Sequence, residues 1–194
     1  MGEELAKSTE AQVTALAKAG VRQVLWGNLF DVGKTPSLVA KVTLLGGAEA
    51  PTVLRSVSKA INAHNREMDA AIARLQVAWP ELQIIQLDLH AKFSEVAVDP
   101  GKYGFADVST GANDDRHLFS ADGLHPTAKG HEMLAKFAYD TVTRPDGSGT
   151  VMADGSTAGL RSRRLRFGMP KHPVSGLARS GNGRVAVVIV CPCR

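Results

Sequence analysis

The run Asp122-Gly123-Leu124-His125-Pro126-Thr127-Ala128-Lys129-Gly130-His131 is the stretch whose reading decides this chain. An aspartate three residues before a histidine, with Gly123 easing the turn between them, can set its carboxylate against the imidazole Nδ1–H and leave Nε2 facing outward as a base. That arrangement is the second half of a Ser-His-Asp triad. Pro126 fixes φ just after the histidine and suits the first turn of a helix, which Met133, Leu134, Phe137, Ala138 and Val142 continue at helical spacing. His125 is therefore expected on a loop gripped by a helix. The plainer alternative for the pair is a helix-entry turn.

Upstream, Leu5, Val13, Leu16 and Ala17 give a loose helical stripe that Gly20 stops, and the apolar stretch from Val21 to Leu29 reads as a buried strand. Asp31-Val32-Gly33-Lys34-Thr35-Pro36 has loop chemistry at the end of that strand, where a doubly wound fold places its ligand crevice. Asn28 and Asp31 could border a site there, but ordinary turn chemistry is the preferred account of both. Leu54, Val57, Ile61, Met68, Ile72 and Leu75 recur at helical spacing, which predicts one long or kinked helix over residues 52–79, ending before Pro80. His64 fills the middle of that stripe and is expected to be a packed, hydrogen-bonded histidine rather than a base or ligand.

Ile84, Ile85, Leu87 and Leu89 make a second short strand with Asp88 near its end, and strand, helix, strand implies a right-handed parallel crossover. Residues 91–121 show no sustained period and carry Pro100, Gly101, Gly104 and Gly111, so they are expected to form a long loop, a kind often tied to function. Ser120 lies close to the Asp122 and His125 pair, yet from two residues before Asp122 it cannot easily reach the outward nitrogen of His125.

At 194 residues and 44% hydrophobic, the chain can bury a sizeable core. Its formal charge of +4 is unevenly spread: residues 1–143 hold 14 Lys and Arg against 17 Asp and Glu, and residues 144–194 hold 9 against 2. Two domains are expected on this basis, 1–143 as the globular part and 144–194 as a basic Arg/Gly-rich, disordered tail in which Arg161, Arg163, Arg164 and Arg166 cluster. Such a tail can attract nucleic acid or anionic lipid through counterion release, although a solvated charged tail is the preferred account. The uncharged run Val185–Val190 has high β-propensity and reads as an edge strand or an aggregation-prone segment. Cys191 and Cys193 are too few for a disulfide framework or a four-ligand zinc site. The N-terminus MGEELAKSTE is acidic and lacks the apolar core of a signal peptide, and no apolar run approaches the ~18 residues of a membrane span.

Asp-x-x-His-Pro-Thr near the end of an α/β chain resembles the last sequence block of the GDSL, or SGNH, ester hydrolases. Val24-Leu25-Trp26-Gly27-Asn28-Leu29 with Thr35-Pro36, then His64-Asn65, Asp99-Pro100, Tyr103-Gly104-Phe105 and Leu118-Phe119 follow in the order such hydrolases show, so the resemblance covers roughly residues 10 to 143. It implies a three-layer α/β/α, flavodoxin-like fold with a parallel sheet, and a carboxylic ester or lipid as substrate. It also implies an acyl-enzyme route that uses neither metal nor cofactor. Asp122 and His125 would be its acid–base residues, with His125 taking the serine proton and Asp122 fixing the tautomer.

The family's nucleophile sits in a Gly-Asp-Ser block, which occurs nowhere in the chain. Gly111-Ala112-Asn113-Asp114 spells the family's Gly-x-Asn-Asp block, whose asparagine serves the oxyanion, but it lies too close to Asp122 and is taken as turn chemistry. The expectation is therefore the C-terminal portion of a hydrolase, with the N-terminal strands of the sheet missing, weak or inactive alone. Two parallel strands with open edges would call for another polypeptide to supply the missing half of the fold. Many members of the family are exported, so the compartment stays open. The competing reading is a non-catalytic interaction protein whose basic tail contacts nucleic acid or membrane.

Overall fold

The computed structural model describes residues 2–143, 150–151, 178–180 and 183–188, and those residues are mixed α/β and mostly helical. The order is α1 (Gly2–Lys18), β1 (Val21–Gly27), α2 (Pro36–Gly46), α3 (Ala50–Ala78), β2 (Gln83–Leu87), α4 (Leu89–Val98), β3 (Asp107–Gly111), β4 (His117–Phe119), α5 (Ala128–Thr143), β5 (Thr150–Val151), β6 (Ala178–Ser180) and β7 (Gly183–Val188). These elements fall into two compact units. One comprises Leu29–Asn65 and Asp88–Tyr139, the other Glu3–Asn28, Arg66–Leu87 and the described residues from Asp140 onward.

The second of these units is built on β1 and β2, which pair in parallel with Val24 opposite Ile84 and Leu25 opposite Ile85. Helix α1 carries Glu3 and Glu4 in its first turn and Lys18 in its last, the arrangement the helix dipole favours. Its Ala6, Val13 and Ala17 stripe joins Val24, Trp26, Ile84 and, from α3, Met68, Ala71, Ile72 and Leu75 in one buried cluster. The expected strands and the long helix are thus present, within a few residues of the limits the periodicity set.

Among the described residues the sheet has five strands, in the order β5-β2-β1-β7-β6, where two were expected. Strand β7 runs parallel to β1, and β5 and β6 close the flanks in antiparallel pairings. The run expected at an edge is therefore paired with β1 from Val185 as far as Val188, and with β6 on its other side at Val185. A parallel strand buried on its faces needs partners for its N–H and C=O groups, and an uncharged β-branched run is the segment best suited to give them. The remaining residues of 144–194, with the arginine cluster at Arg161, Arg163, Arg164 and Arg166 and both cysteines, lie outside the described residues.

In the first unit, residues 91–121 are not the long loop that the absence of a period suggested. Asp88 caps α4 by accepting from the Ala91 N–H at 2.9 Å, and Phe93 and Val96 face inward from a helix too short to show a repeat. A 3-10 turn at Pro100–Tyr103 follows, and then β3 and β4 pair in parallel. Phe93, Val96, Phe105, Leu118 and Phe119 form this unit's core, with the Phe30 ring stacked on Phe93 at 4.3 Å between centroids. Helix α2 was not foreseen. It starts where Pro36 occupies its first turn, and none of its residues is buried, so no apolar stripe announced it.

Candidate active site

The site loop runs from β4 to α5, and backbone bonds fold it into a closed ring. Ser120 N donates to His125 O at 2.8 Å, Gly123 N to Ser120 O at 2.8 Å, and Thr127 N to Leu118 O at 2.9 Å. Phe119 bridges Pro126 across the base of the ring, so Pro126 is a bridge residue and not the first turn of the helix as expected. Thr127 performs the helix entry. Its hydroxyl donates to His117 O at 2.8 Å and accepts from the Gly130 N–H at 3.2 Å, which satisfies one of the unpaired donors at the start of α5.

Within the ring the structure brings the two expected residues together. His125 Nδ1 lies 2.5 Å from Asp122 Oδ2. The other carboxylate oxygen accepts from Leu124 N at 2.8 Å, His125 N at 2.9 Å and the Ser120 hydroxyl at 2.8 Å. The His125 hydrogen bond, then the Leu124 and His125 backbone donors, then Ser120, hold the Asp122 carboxyl well below the usual carboxylate range. An ionised carboxylate only accepts, so Nδ1 carries the proton and Nε2 keeps its lone pair when the ring is neutral. The His125 side chain is 53% exposed. A ring held on one nitrogen and open to solvent can take a proton from an approaching hydroxyl and return it to a leaving group.

Gly123 makes this turn possible. Its φ is +67°, and a Cβ there would stand 2.8 Å from Ser37 N and 3.2 Å from Pro36 Cβ, because Gly123 O accepts from Ser37 N at 2.9 Å. The Gly111-Ala112-Asn113-Asp114 block, set aside as turn chemistry, also lies against the loop. Asn113 Oδ1 accepts from Ala121 N at 2.9 Å, and a Cβ on Gly111 would run into the Ser120 carbonyl and the Gly123 backbone. These residues buttress the ring that holds Asp122. Sequence spacing carried no sign of it, because the approach is made across β3 and β4.

A second Asp-x-x-His passed unnoticed in the sequence. Asp114 Oδ1 accepts from Arg116 N and His117 N and lies 2.7 Å from His117 Nδ1, the same partners by position as in the first pair but all on one carboxylate oxygen. The His117 hydrogen bond comes first among the influences that lower the Asp114 carboxyl. The two pairs differ in access. The His117 side chain is 22% exposed and its Nε2 faces Asp107 Oδ2 at 4.0 Å, so a carboxylate stands where a reacting group would enter. Exposure, not motif, separates the candidate base from its structural twin.

The other motif residues serve the framework. Asn65 accepts from Leu29 N at 3.0 Å and donates to Leu29 O at 2.8 Å. His64 is buried at 1% exposure, and Asp31 caps a 3-10 turn through Gly33 N while accepting from Ser58. Ser120 Oγ donates to Asp122, not to His125. A shallow depression lined by Phe30, Phe93, Val108, Leu118 and Phe119 opens beside Asp31 and Lys34, in the same unit as the ring. Among the described residues no group of three His, Cys, Asp or Glu could hold a metal ion.

Comparison with protein families gives a match between residues 3–138 and the GDSL-like Lipase/Acylhydrolase model. No curated protein matches the chain.

Proposed function

The chain belongs to the GDSL-like lipase/acylhydrolase family, an ester hydrolase family with an SGNH α/β fold, and on that premise we propose that Asp122 and His125 are the acid–base pair of a serine ester hydrolase. The observation that carries this reading is the His125 ring bound to Asp122 through Nδ1, with its side chain half exposed. In the reaction His125 Nε2 takes the serine proton as the hydroxyl attacks the ester carbonyl. It then gives that proton to the departing alcohol, and Asp122 stabilises the imidazolium between the two transfers. The depression beside Phe30 and Phe119 gives an acyl group an apolar wall.

A Gly-Asp-Ser block does not occur in the sequence, so in this reading the nucleophile and the oxyanion donors come from residues outside it, and the fold is represented by the part that carries the base. Hydrolysis by these 194 residues alone is then weak, because the base has no hydroxyl to activate. The same observation favours the second reading, a non-catalytic interaction protein that keeps the family's framework and contacts nucleic acid or membrane through residues 144–194.

Hydrolysis of p-nitrophenyl acetate and butyrate, compared with His125→Ala and combined with fluorophosphonate labelling, separates the two. Weak turnover that disappears in His125→Ala, with no serine of these 194 residues taking the label, is the expected result for the hydrolase reading. Turnover unchanged by the substitution refutes it.

A further inference from the structure

Residues 32–60 differ from the rest of the acidic stretch 1–143 in charge and in packing. They carry four cations, Lys34, Lys41, Arg55 and Lys59, against one anion, Glu49; Lys34 is paired with Asp31 at 3.8 Å, which leaves Lys41, Arg55 and Lys59 for a partner. They also form a helical hairpin in which α2 passes through a 3-10 turn at Gly47–Glu49 into α3, and no residue of α2 is buried. Leu44 and Leu45 at its tip are 83% and 85% exposed, and Val39 and Val53 are exposed at 37% and 42%.

Two adjacent leucines standing almost wholly in water gain free energy from any apolar medium that accepts them. The charges select the medium. A second copy of the same tip would bring like charges together across a symmetric contact. An anionic bilayer offers hydrocarbon to the leucines and negative headgroups to the cations at once. At eleven residues α2 spans about 16 Å, short of the roughly 30 Å hydrocarbon core, so contact is at the surface.

We propose that the tip between α2 and α3 seats the protein on an anionic phospholipid surface, with Leu44 and Leu45 entering the acyl boundary and Lys41, Arg55 and Lys59 meeting the headgroups. The start of α2 is hydrogen-bonded to the site loop through Ser37 N and Gly123 O at 2.9 Å, so docking also holds that loop within about one α2 length of the lipid, roughly 16 Å. Only this last consequence rests on the hydrolase reading; the binding does not.

The test is co-sedimentation of the full chain with vesicles of mixed phosphatidylglycerol and phosphatidylcholine, and with pure phosphatidylcholine, at low salt. The protein is expected to pellet with the anionic vesicles and not with the zwitterionic ones. Leu44→Ser combined with Leu45→Ser is expected to lower the partition coefficient at least roughly tenfold. Both side chains are exposed, so the fold survives, and circular dichroism checks that it has. In a Leu44→Trp variant the tryptophan emission is expected to shift to the blue when anionic vesicles are added. Binding undiminished by the serine pair overturns the proposal, because the contact then lies elsewhere, for instance in residues 144–194. Unshifted emission overturns it too, as does a dimer in light scattering that the serine pair dissociates without any vesicle binding by the parent.

Discussion

Replacing Gly123 with alanine tests the link between backbone geometry and the candidate base. The residue sits at φ +67°, a region that costs an L-residue about 1–2 kcal/mol. The new methyl would stand 2.8 Å from Ser37 N and 3.3 Å from Ser37 Cα, both main-chain atoms that cannot rotate away. Relieving that contact means moving the start of α2 or the Asp122 turn, an overpacking cost of about 1–3 kcal/mol. Together these give a loss of about 2–5 kcal/mol, a large share of the roughly 5–15 kcal/mol that holds an ordinary domain. Equilibrium urea unfolding of the parent, Gly123→Ala and Gly123→Asn measures it. Asparagine tolerates the left-handed region but carries the same Cβ, so it should recover only the smaller backbone part. A Gly123→Ala variant within about 0.5 kcal/mol of the parent would refute the close approach, since surface substitutions fall in that range.

Asp122→Asn keeps an oxygen for the Leu124, His125 and Ser120 donors but turns its other atom into a donor facing His125 Nδ1. Long-range ¹⁵N NMR should therefore show the imidazole leaving the Nδ1–H tautomer while the fold persists; an unchanged tautomer would refute the pairing. Asp122, Asp107 and Asp114 all have folded carboxyls lowered by their hydrogen bonds, below an unfolded value near ~3.9. Their contribution to stability is present above that value and lost as pH falls through the lowered folded ones. The urea midpoint should hold between pH 7 and 5 and drop below roughly pH 4, more shallowly in Asp122→Asn. Met68→Ala removes a side chain at 0% exposure and should cost about 2–5 kcal/mol by urea unfolding, with a loss under about 1 kcal/mol contradicting the core described around β1.

The elements with a long repeat or a continuous apolar run were legible before any coordinates. The α3 stripe, the runs that became β1 and β2, and the Asp122 and His125 spacing each encode a local geometry that neighbours along the chain dictate. Periodicity could not show α2, because a helix with no buried residue has no stripe, and α4 ends before a repeat accumulates. The sheet was also out of reach, since β7 joins β1 across more than 150 residues and nothing local records that register.

The sequence by itself thus determined that an ionisable pair would meet across a tight turn, because three residues of separation leave a carboxylate little else to reach. Spacing alone did not rank Asp122–His125 above Asp114–His117, which share it; only the Pro126-Thr127 that follows His125, through the family resemblance, singled the first pair out. Tertiary structure sets Asp107 opposite the His117 ring and leaves the His125 side chain half exposed, and it alone sets Gly111 and Asn113 behind the turn. Access and support depend on what packs from distant parts of the chain, whereas the turn depends only on its own residues.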